Sequence, residues 1–345
     1  MRALQKVILR MSRANFFKNF SLEYIYYILR RALPIFIAYI CKIPGLGKKG
    51  VVNKPIFLLG MQGGGLTIIS RILRRSRNVV SISGGSNYWS GADEMNSVLG
   101  SSQSNEYASI EHIKNLPSEI VVGTDWICGT NKYIKMFHAE SADDKAMMYF
   151  NKVVYTVGNL FGGKNFRFID KSQNYALKTK LLIKTFHPSR PIFIFLTRDP
   201  FAQCFKVASG EYFTNRYLKR NLDFNQRLSL ACESWANYIQ KFEEDTTGYE
   251  SVMIMRFEDI VLDLENSMKK ICEYCDITFE KNILPTSDDI IPYGSRRKER
   301  WFPVHEDINA KYYDKIDASS IKIIDSMIGN LAKKYGYEAP KIKTK

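Results

Sequence analysis

Lys54-Pro-Ile-Phe-Leu-Leu-Gly-Met-Gln-Gly-Gly-Gly-Leu-Thr67 runs directly into Ile68-Ile-Ser-Arg-Ile-Leu73, and this junction constrains the fold more than any other segment. The apolar run Ile56–Leu59 has the length of a buried strand. It empties into a turn holding four glycines, and an amphipathic helix starts at once. Backbone N–H groups at such a turn and at the helix N-terminus point one way, toward an anion seated in the loop. Glycine lets the main chain approach phosphate oxygens with no Cβ between them. The anion-binding candidates are therefore Gly60, Gln62, Gly63, Gly64, Gly65, Leu66 and Thr67. The spacing from Gly60 to Gly65 is that of a Walker A loop, but Leu66 stands at the position of the nucleotide-triphosphate lysine, which argues against ATP chemistry and a P-loop kinase. The competing reading of the segment is a ligand-free, Gly-rich strand-to-helix turn.

Beyond this junction, strand-like and helix-like segments alternate. Ile56–Leu59, Val79–Ser83, Ile120–Gly123, Phe166–Ile169, Ile192–Thr197 and Val252–Arg256 read as short apolar strands. Helical periodicity is clearest over Asp143–Phe161, Tyr175–Phe186, Phe224–Asp245, Leu264–Cys275 and Ser319–Tyr335. This alternation predicts an α/β fold with a doubly wound, mainly parallel sheet flanked by helices, whose ligands lie at the carboxyl ends of the strands. The Gly-, Ser- and Asn-rich stretch 84–103 reads as a long loop beside the phosphate turn, a length often tied to function.

Charge divides the chain in two. Of a net +15 over 345 residues, about nine charges fall in residues 1–50, where ten Lys or Arg face one acid, Glu23. We expect a basic amphipathic arm over 1–50 and one α/β domain over 51–345. The arm's most apolar run, Ala32–Cys41, is about half the roughly twenty residues needed to span a bilayer. Arg10, Arg13 and Lys18 interrupt any signal-peptide core. Two readings of Leu22–Leu33 stay open: a helix lying on an anionic inner leaflet with Arg30 and Arg31 snorkelling, or a helix docked on the body. The six cysteines lie at 41, 128, 204, 232, 272 and 275, with no zinc spacing, and read as buried thiols of a reducing compartment; the expected location is cytoplasmic. No His, Asp and Cys cluster suggests a metal. The basicity is confined to the arm and lacks base-stacking aromatics on the body, which speaks against nucleic acid.

Three further strand tips carry polar chemistry. Ile192–Thr197 ends in Arg198-Asp199-Pro200, with the proline at a preferred first helical position, so Arg198 sits at a carboxyl strand end where its guanidinium can fork onto phosphate. Lys206 follows about two helical turns on. Phe166-Arg-Phe-Ile-Asp-Lys-Ser-Gln-Asn174 offers Lys171 and Ser172. Arg256-Phe-Glu-Asp-Ile260 leaves a strand into a helix with Glu258 and Asp259 near its start.

In this order, strand-GxxxxG-helix, Asp-Lys-Ser-x-Asn, strand-Arg-Asp-Pro and Arg-Phe-Glu-Asp-Ile, the motifs resemble those of sulfotransferases that use 3′-phosphoadenylyl sulfate (PAPS), with the P-loop-like sulfotransferase fold. The similarity is greatest to the carbohydrate and tyrosylprotein branch. It covers about residues 54–315, including Arg296-Arg-Lys-Glu-Arg-Trp-Phe-Pro303. The resemblance implies that residues 60–67 bind the 5′-phosphosulfate. It implies that Arg198 binds the 3′-phosphate, with Lys206 at the place of the family's hydroxyl eight residues later. Arg297 and Lys298 would close over the same phosphate, and Lys171 would be the cation near the transferred sulfonate. The implied acceptor is a hydroxyl, on a glycan or glycolipid, and the implied donor substrate is PAPS with no metal.

The chain departs from the family in the first loop, where an Arg or Lys is usual and Gly63 stands instead. Loss of one donor to a developing charge costs about 3–4 kcal/mol, so Lys171 and the amides of Gly63–Gly65 are expected to compensate. The alternative is a nucleotide-binding module without turnover. A general base must reach the acceptor hydroxyl. The candidates are Glu94, Asp93 and His305; the acidic pair reads equally as a helix cap. Tyr88, Trp89, Asp125 and Trp126 are acceptor-side candidates that could as well be packing residues.

Overall fold

The computed structural model describes residues 51–82, 144–209, 222–286 and 307–341, the pairs 291–292 and 301–302, and scattered positions between 33 and 50 and between 129 and 134. Five strands form one parallel sheet: β1 (Ile56–Leu59), β2 (Val79–Val80), β3 (Arg167–Asp170), β4 (Ile192–Thr197) and β5 (Val252–Arg256), in the order β2-β3-β1-β4-β5. The helices are α1 (Leu66–Leu73), α2 (Asp144–Gly162), α3 (Thr179–Thr185), α4 (Pro200–Ala208), α5 (Phe224–Asp245), α6 (Phe257–Leu262), α7 (Leu264–Tyr274), α8 (Ala310–Tyr313) and α9 (Ala318–Lys334). A separate antiparallel pair joins β6 (Ile291–Pro292) to β7 (Trp301–Phe302).

The sheet divides the core, as alternation along a strand requires. Phe57 and Leu59 of β1 face α2, α5 and α9, whereas Ile56 and Leu58 face α1, α6 and α7. On the first face Phe57 lies edge-on or tilted against Phe168, Tyr175, Phe186 and Phe193, with ring centroids 5.5–6.5 Å apart. Strand order reverses about β1: the chain goes from β1 to the edge strand β2 and back to β3 on one side, then crosses to β4 and β5 on the other. The carboxyl end of β1 is thus a switch point where a crevice opens between diverging connections.

Three of the five expected strands that lie in described residues match in both ends. β3 is shifted by one residue, and β2 is cut to Val79–Val80. The expected strand Ile120–Gly123 lies outside the described residues. The single helix expected over Tyr175–Phe186 is two pieces, a 3₁₀ segment Gln173–Leu177 and then α3. Lys178, at φ −142°, is the non-helical joint between them, and the Thr179 hydroxyl bonds back to the Tyr175 and Ala176 carbonyls. Apolar periodicity persisted across a break made by local side-chain competition for the backbone.

Local caps explain the long helices. Asp223 Oδ1 accepts from the Gln226 amide and Gln226 Oε1 accepts from the Asp223 amide, closing a capping box ahead of α5. Asp317 accepts from the Ser320 amide at the head of α9.

The five described cysteines, Cys41, Cys204, Cys232, Cys272 and Cys275, are free and buried. Cys272 and Cys275 have the CxxC spacing of redox motifs, but Cys272 lies in the last turn of α7 and Cys275 caps it. Burial pushes the Cys272 thiol up to about 11 and the Cys275 thiol to about 12. A low thiolate fraction makes both poor nucleophiles. Iodoacetamide at neutral pH should leave them unmodified in the folded protein and alkylate them after denaturation, as peptide mass spectrometry can read. Rapid labelling of either in the native state would contradict this packing.

Candidate active site

The carboxyl ends of β3, β1 and β4 bring together the glycine turn, Lys171 and Arg198. In the sheet register Phe57 pairs with Asp170 on one side, and Leu59 pairs with Phe195 on the other. Lys171 therefore follows β3 one strand to one side of the turn, and Arg198 follows β4 one strand to the other. Lys171 and Ser172 are both buried, and Asp170 accepts from the Ser172 amide at 2.8 Å.

The turn itself is shaped by glycine torsions. Gly63 has φ 85° and Gly65, which caps α1, has φ 92°; L side chains rarely adopt either. At Gly65 there is no room for a side chain either, because an added Cβ would lie 2.2 Å from the Phe257 ring. The Gly64 amide donates to the Met61 carbonyl at 3.1 Å, and Gln203 of α4 donates to the carbonyls of Met61 at 3.3 Å and Gln62 at 2.9 Å. Among the described residues the amides of Gly63, Gly65, Leu66 and Thr67 have no acceptor, and the first amides of α1 can have none within the helix. These amides form the open side of the loop. Of the glycine amides expected to compensate for the missing cation, that of Gly64 is thus committed inward, while those of Gly63 and Gly65 remain. The positive φ at Gly63 also gives a physical reason for glycine where the family usually has Arg or Lys.

Arg198 reaches the turn from β4. Its Nη1 donates to the Gly63 carbonyl at 2.7 Å, so the glycine element and the arginine element lie on the same side of the sheet and touch. Nε and Nη2 both donate to Asn309 Oδ1, at 2.9 and 2.7 Å, and Nη2 also donates to the Ile308 carbonyl at 3.3 Å. The guanidinium carbon lies 5.5 Å from the Phe257 ring centroid and 6.0 Å from that of Tyr312. Trp235 Nε1 donates to the Arg198 carbonyl at 3.2 Å and fixes the strand tip from α5. The Lys206 ammonium lies 5.6 Å from the centroid of the same Tyr312 ring.

Behind Arg198 is a polar web that sequence reasoning did not assemble. Glu258 Oε1 accepts from the Asp199 amide at 2.9 Å and from Asn309 Nδ2 at 2.6 Å, and its Oε2 accepts from the Tyr337 hydroxyl at 3.1 Å. Asp199 caps α4 through the Ala202 amide at 3.0 Å and accepts from the Tyr313 hydroxyl at 2.7 Å. Burial pushes the Asp199 carboxyl above its ordinary range, and the Ala202 and Tyr313 donors pull it partly back. Burial and the neighbouring Asp199 raise the Tyr313 phenol well above the tyrosine range, so it stays a donor. In the sequence Glu258 reads only as an acid near a helix start. Asn309, Tyr313 and Tyr337 carry no local signal, because only the fold brings the C-terminal segment across β4.

Asp93, Glu94, Tyr88, Trp89, Asp125, Trp126, Arg297, Lys298 and His305 lie outside the described residues. Among the described residues no group of His, Cys, Asp or Glu side chains could hold a metal ion.

A parallel sheet with a glycine-rich turn at its switch point, beside an arginine at the next strand tip, defines a P-loop-like α/β fold. A model of the sulfotransferase family matches residues 55–281, about two thirds of the sequence, and the chain belongs to that family. Among curated proteins none matches the sequence. Of solved structures, a sulfotransferase from Mycobacterium avium superposes with a TM-score of 0.51 at 12% identity, over 84% of this chain and 78% of that one, and shows the same fold. The sulfotransferase domain from the curacin biosynthetic pathway gives 0.49 at 14% identity, over 84% and 100% of the two chains. A mouse sulfotransferase solved with 3′-phosphoadenosine 5′-phosphate (PAP) gives 0.43 at 12%, over 83% and 90%.

Proposed function

We propose that this sulfotransferase takes its sulfonate from PAPS and passes it to a hydroxyl on a glycan or glycolipid, working in the cytoplasm at the inner face of a membrane. The observation that carries the nucleotide reading is the 2.7 Å bond between Arg198 and the Gly63 carbonyl, which sets two anion-binding elements side by side at one switch point. A ligand with two separate phosphate groups suits such a pair better than a nucleoside triphosphate. Leu66 denies a triphosphate its lysine, and a basic strand tip beyond the loop has no role in a simple Walker site. The cradle fits: positive φ at Gly63 and Gly65 keeps the turn open, and the amides of Gly63, Gly65, Leu66 and Thr67, without acceptors among the described residues, suit the oxygens of a phosphosulfate.

When bound, PAPS supplies a sulfonate on a phosphate leaving group. The chain's own part is to position and neutralise. The amides of the turn and the N-terminus of α1 hold the 5′ end, and Lys171 supplies the fixed cation that Gly63 does not. Arg198 and Lys206 hold the 3′-phosphate, assisted by Arg297 and Lys298. Occupying the Nε/Nη2 edge of Arg198 requires the phosphate to replace the Asn309 amide oxygen. Glu94, rather than Asp93 or His305, takes the proton of the acceptor hydroxyl.

Incubation with sulfur-labelled PAPS and glycan and glycolipid extracts tests the assignment. Label should enter a hydroxyl-bearing product, and Glu94→Ala should cut turnover about a hundredfold or more while PAP binding by calorimetry is unchanged. PAP binding without transfer to any acceptor class would instead identify a nucleotide-binding module disabled at Gly63.

A further inference from the structure

Outside the catalytic crevice, apolar exposure is concentrated in one segment. Of the eleven large hydrophobic side chains exposed among the described residues, six fall between positions 33 and 51: Leu33, Phe36, Tyr39, Ile43, Leu46 and Val51. Phe36 is 61% exposed, Ile43 51% and Val51 63%, which is far from the normal scatter of single surface residues.

The segment is nevertheless seated. Leu33, Phe36, Ile37, Tyr39, Ile40 and Cys41 are helical, and Ile37 and Cys41 are buried in the core face shared with α2. Lys152 of α2 donates to the Cys41 carbonyl at 3.0 Å, and the Lys48 amide donates to Thr156 Oγ1 at 3.3 Å. One side of the segment is therefore held against α2, and its apolar outer side is presented by a fixed support. The end of the basic arm is thus a docked element rather than a free tail.

Its charge narrows what can cover it. Residues 24–53 contain Arg30, Arg31, Lys42, Lys48 and Lys49 and not one acid. A second copy pairing through this segment would set one acid-free, basic stretch of sequence against another. A partner that combines an apolar interior with a negative surface meets both properties at once. Phe36 and Tyr39 match the aromatic residues that settle at the headgroup boundary, and lysines beside them can keep their charge at the phosphates. Among the described residues no helix is long and apolar enough to cross a membrane, so the contact is one that lies on the surface.

We infer that Leu33, Phe36, Tyr39, Ile43, Leu46 and Val51, in a stretch of sequence that is basic and free of acids, form a docking face for an anionic lipid bilayer. The inference names the surface behind the peripheral placement proposed above, and it is independent of the sulfonate chemistry.

The test is co-sedimentation of the full chain with phosphatidylcholine vesicles and with vesicles carrying about a third phosphatidylserine. The protein should pellet with the anionic vesicles and not the neutral ones, and raising the salt to about 0.5 M should release most of it. Phe36→Ser combined with Ile43→Ser should weaken the anionic partition at least about tenfold, since two inserted apolar side chains are removed. Calorimetry with PAP on the same variant should be unchanged, which establishes that the fold is intact. Failure of the wild type to bind anionic vesicles, or a double variant that binds as the wild type does, overturns the inference. So does a wild-type dimer in size-exclusion chromatography that the double variant converts to a monomer. Absence of PAP binding in the wild type would sink the nucleotide reading and leave the vesicle result standing.

Discussion

Arg198→Ala should lower the affinity for PAP about a hundredfold or more. The arginine is 3% exposed at a strand tip and donates to the Gly63 carbonyl of the glycine turn. Two charge-assisted bonds to a phosphate are worth about 3 kcal/mol together, which is the hundredfold. The substitution also withdraws donors from the Gly63 carbonyl, Asn309 Oδ1 and the Ile308 carbonyl, and each acceptor so stranded costs about 1–3 kcal/mol. Arg198→Lys separates the two effects. It keeps the charge and loses the planar fork, so its loss of PAP affinity should be about tenfold with circular dichroism unchanged. The companion change, Asn309→Ala, frees the Nε/Nη2 edge from its internal acceptor and should tighten PAP binding. Retention of wild-type affinity in a folded Arg198→Ala protein would remove the 3′-phosphate from this position altogether.

Gly65→Ala should destabilise the protein by about 3 kcal/mol and abolish nucleotide binding in what remains folded. Two costs combine. A φ of 92° puts an L side chain in a conformation that costs about 1–2 kcal/mol. The new methyl would meet the Phe257 ring at 2.2 Å, and Phe257 is fully buried among α1, α6 and α7, so it has nowhere to retreat. Overpacking of this kind adds about 1–3 kcal/mol. Any shift that relieves the clash swings the first amides of α1 away from the anion. Urea unfolding measures the first effect and calorimetry the second. A variant as stable as the wild type would show that the turn is not as rigid as its contacts require.

Much of this architecture was legible in the chain because it rests on local causes. Ile56–Leu59, Ile192–Thr197 and Val252–Arg256 are strands in the expected places, since each is a short apolar run bounded by breakers, and α5 starts where Asp223 can cap it. The pairing of the glycine turn with Arg198 was also legible, because both follow neighbouring parallel strands and the fold class dictates that their tips share an edge. The break at Lys178 was not, since it turns on a single backbone torsion within a continuous periodic pattern. Nor was the web of Glu258, Asn309, Tyr313 and Tyr337. Its members are separated by up to 79 positions along the chain and are drawn together only when the C-terminal segment crosses β4. Gly63 illustrates a third case. The missing cation was evident at once, but its reason, a positive φ with the carbonyl turned onto Arg198, required the fold.

The most direct measurement is a crystal structure of the protein with PAP bound. The account predicts the 5′-phosphate on the amides of Gly63–Thr67 and the 3′-phosphate on Arg198, with the Asn309 side chain displaced from the guanidinium. A nucleotide found with its 3′-phosphate away from Arg198, or no nucleotide at the glycine turn at saturating PAP, would contradict it.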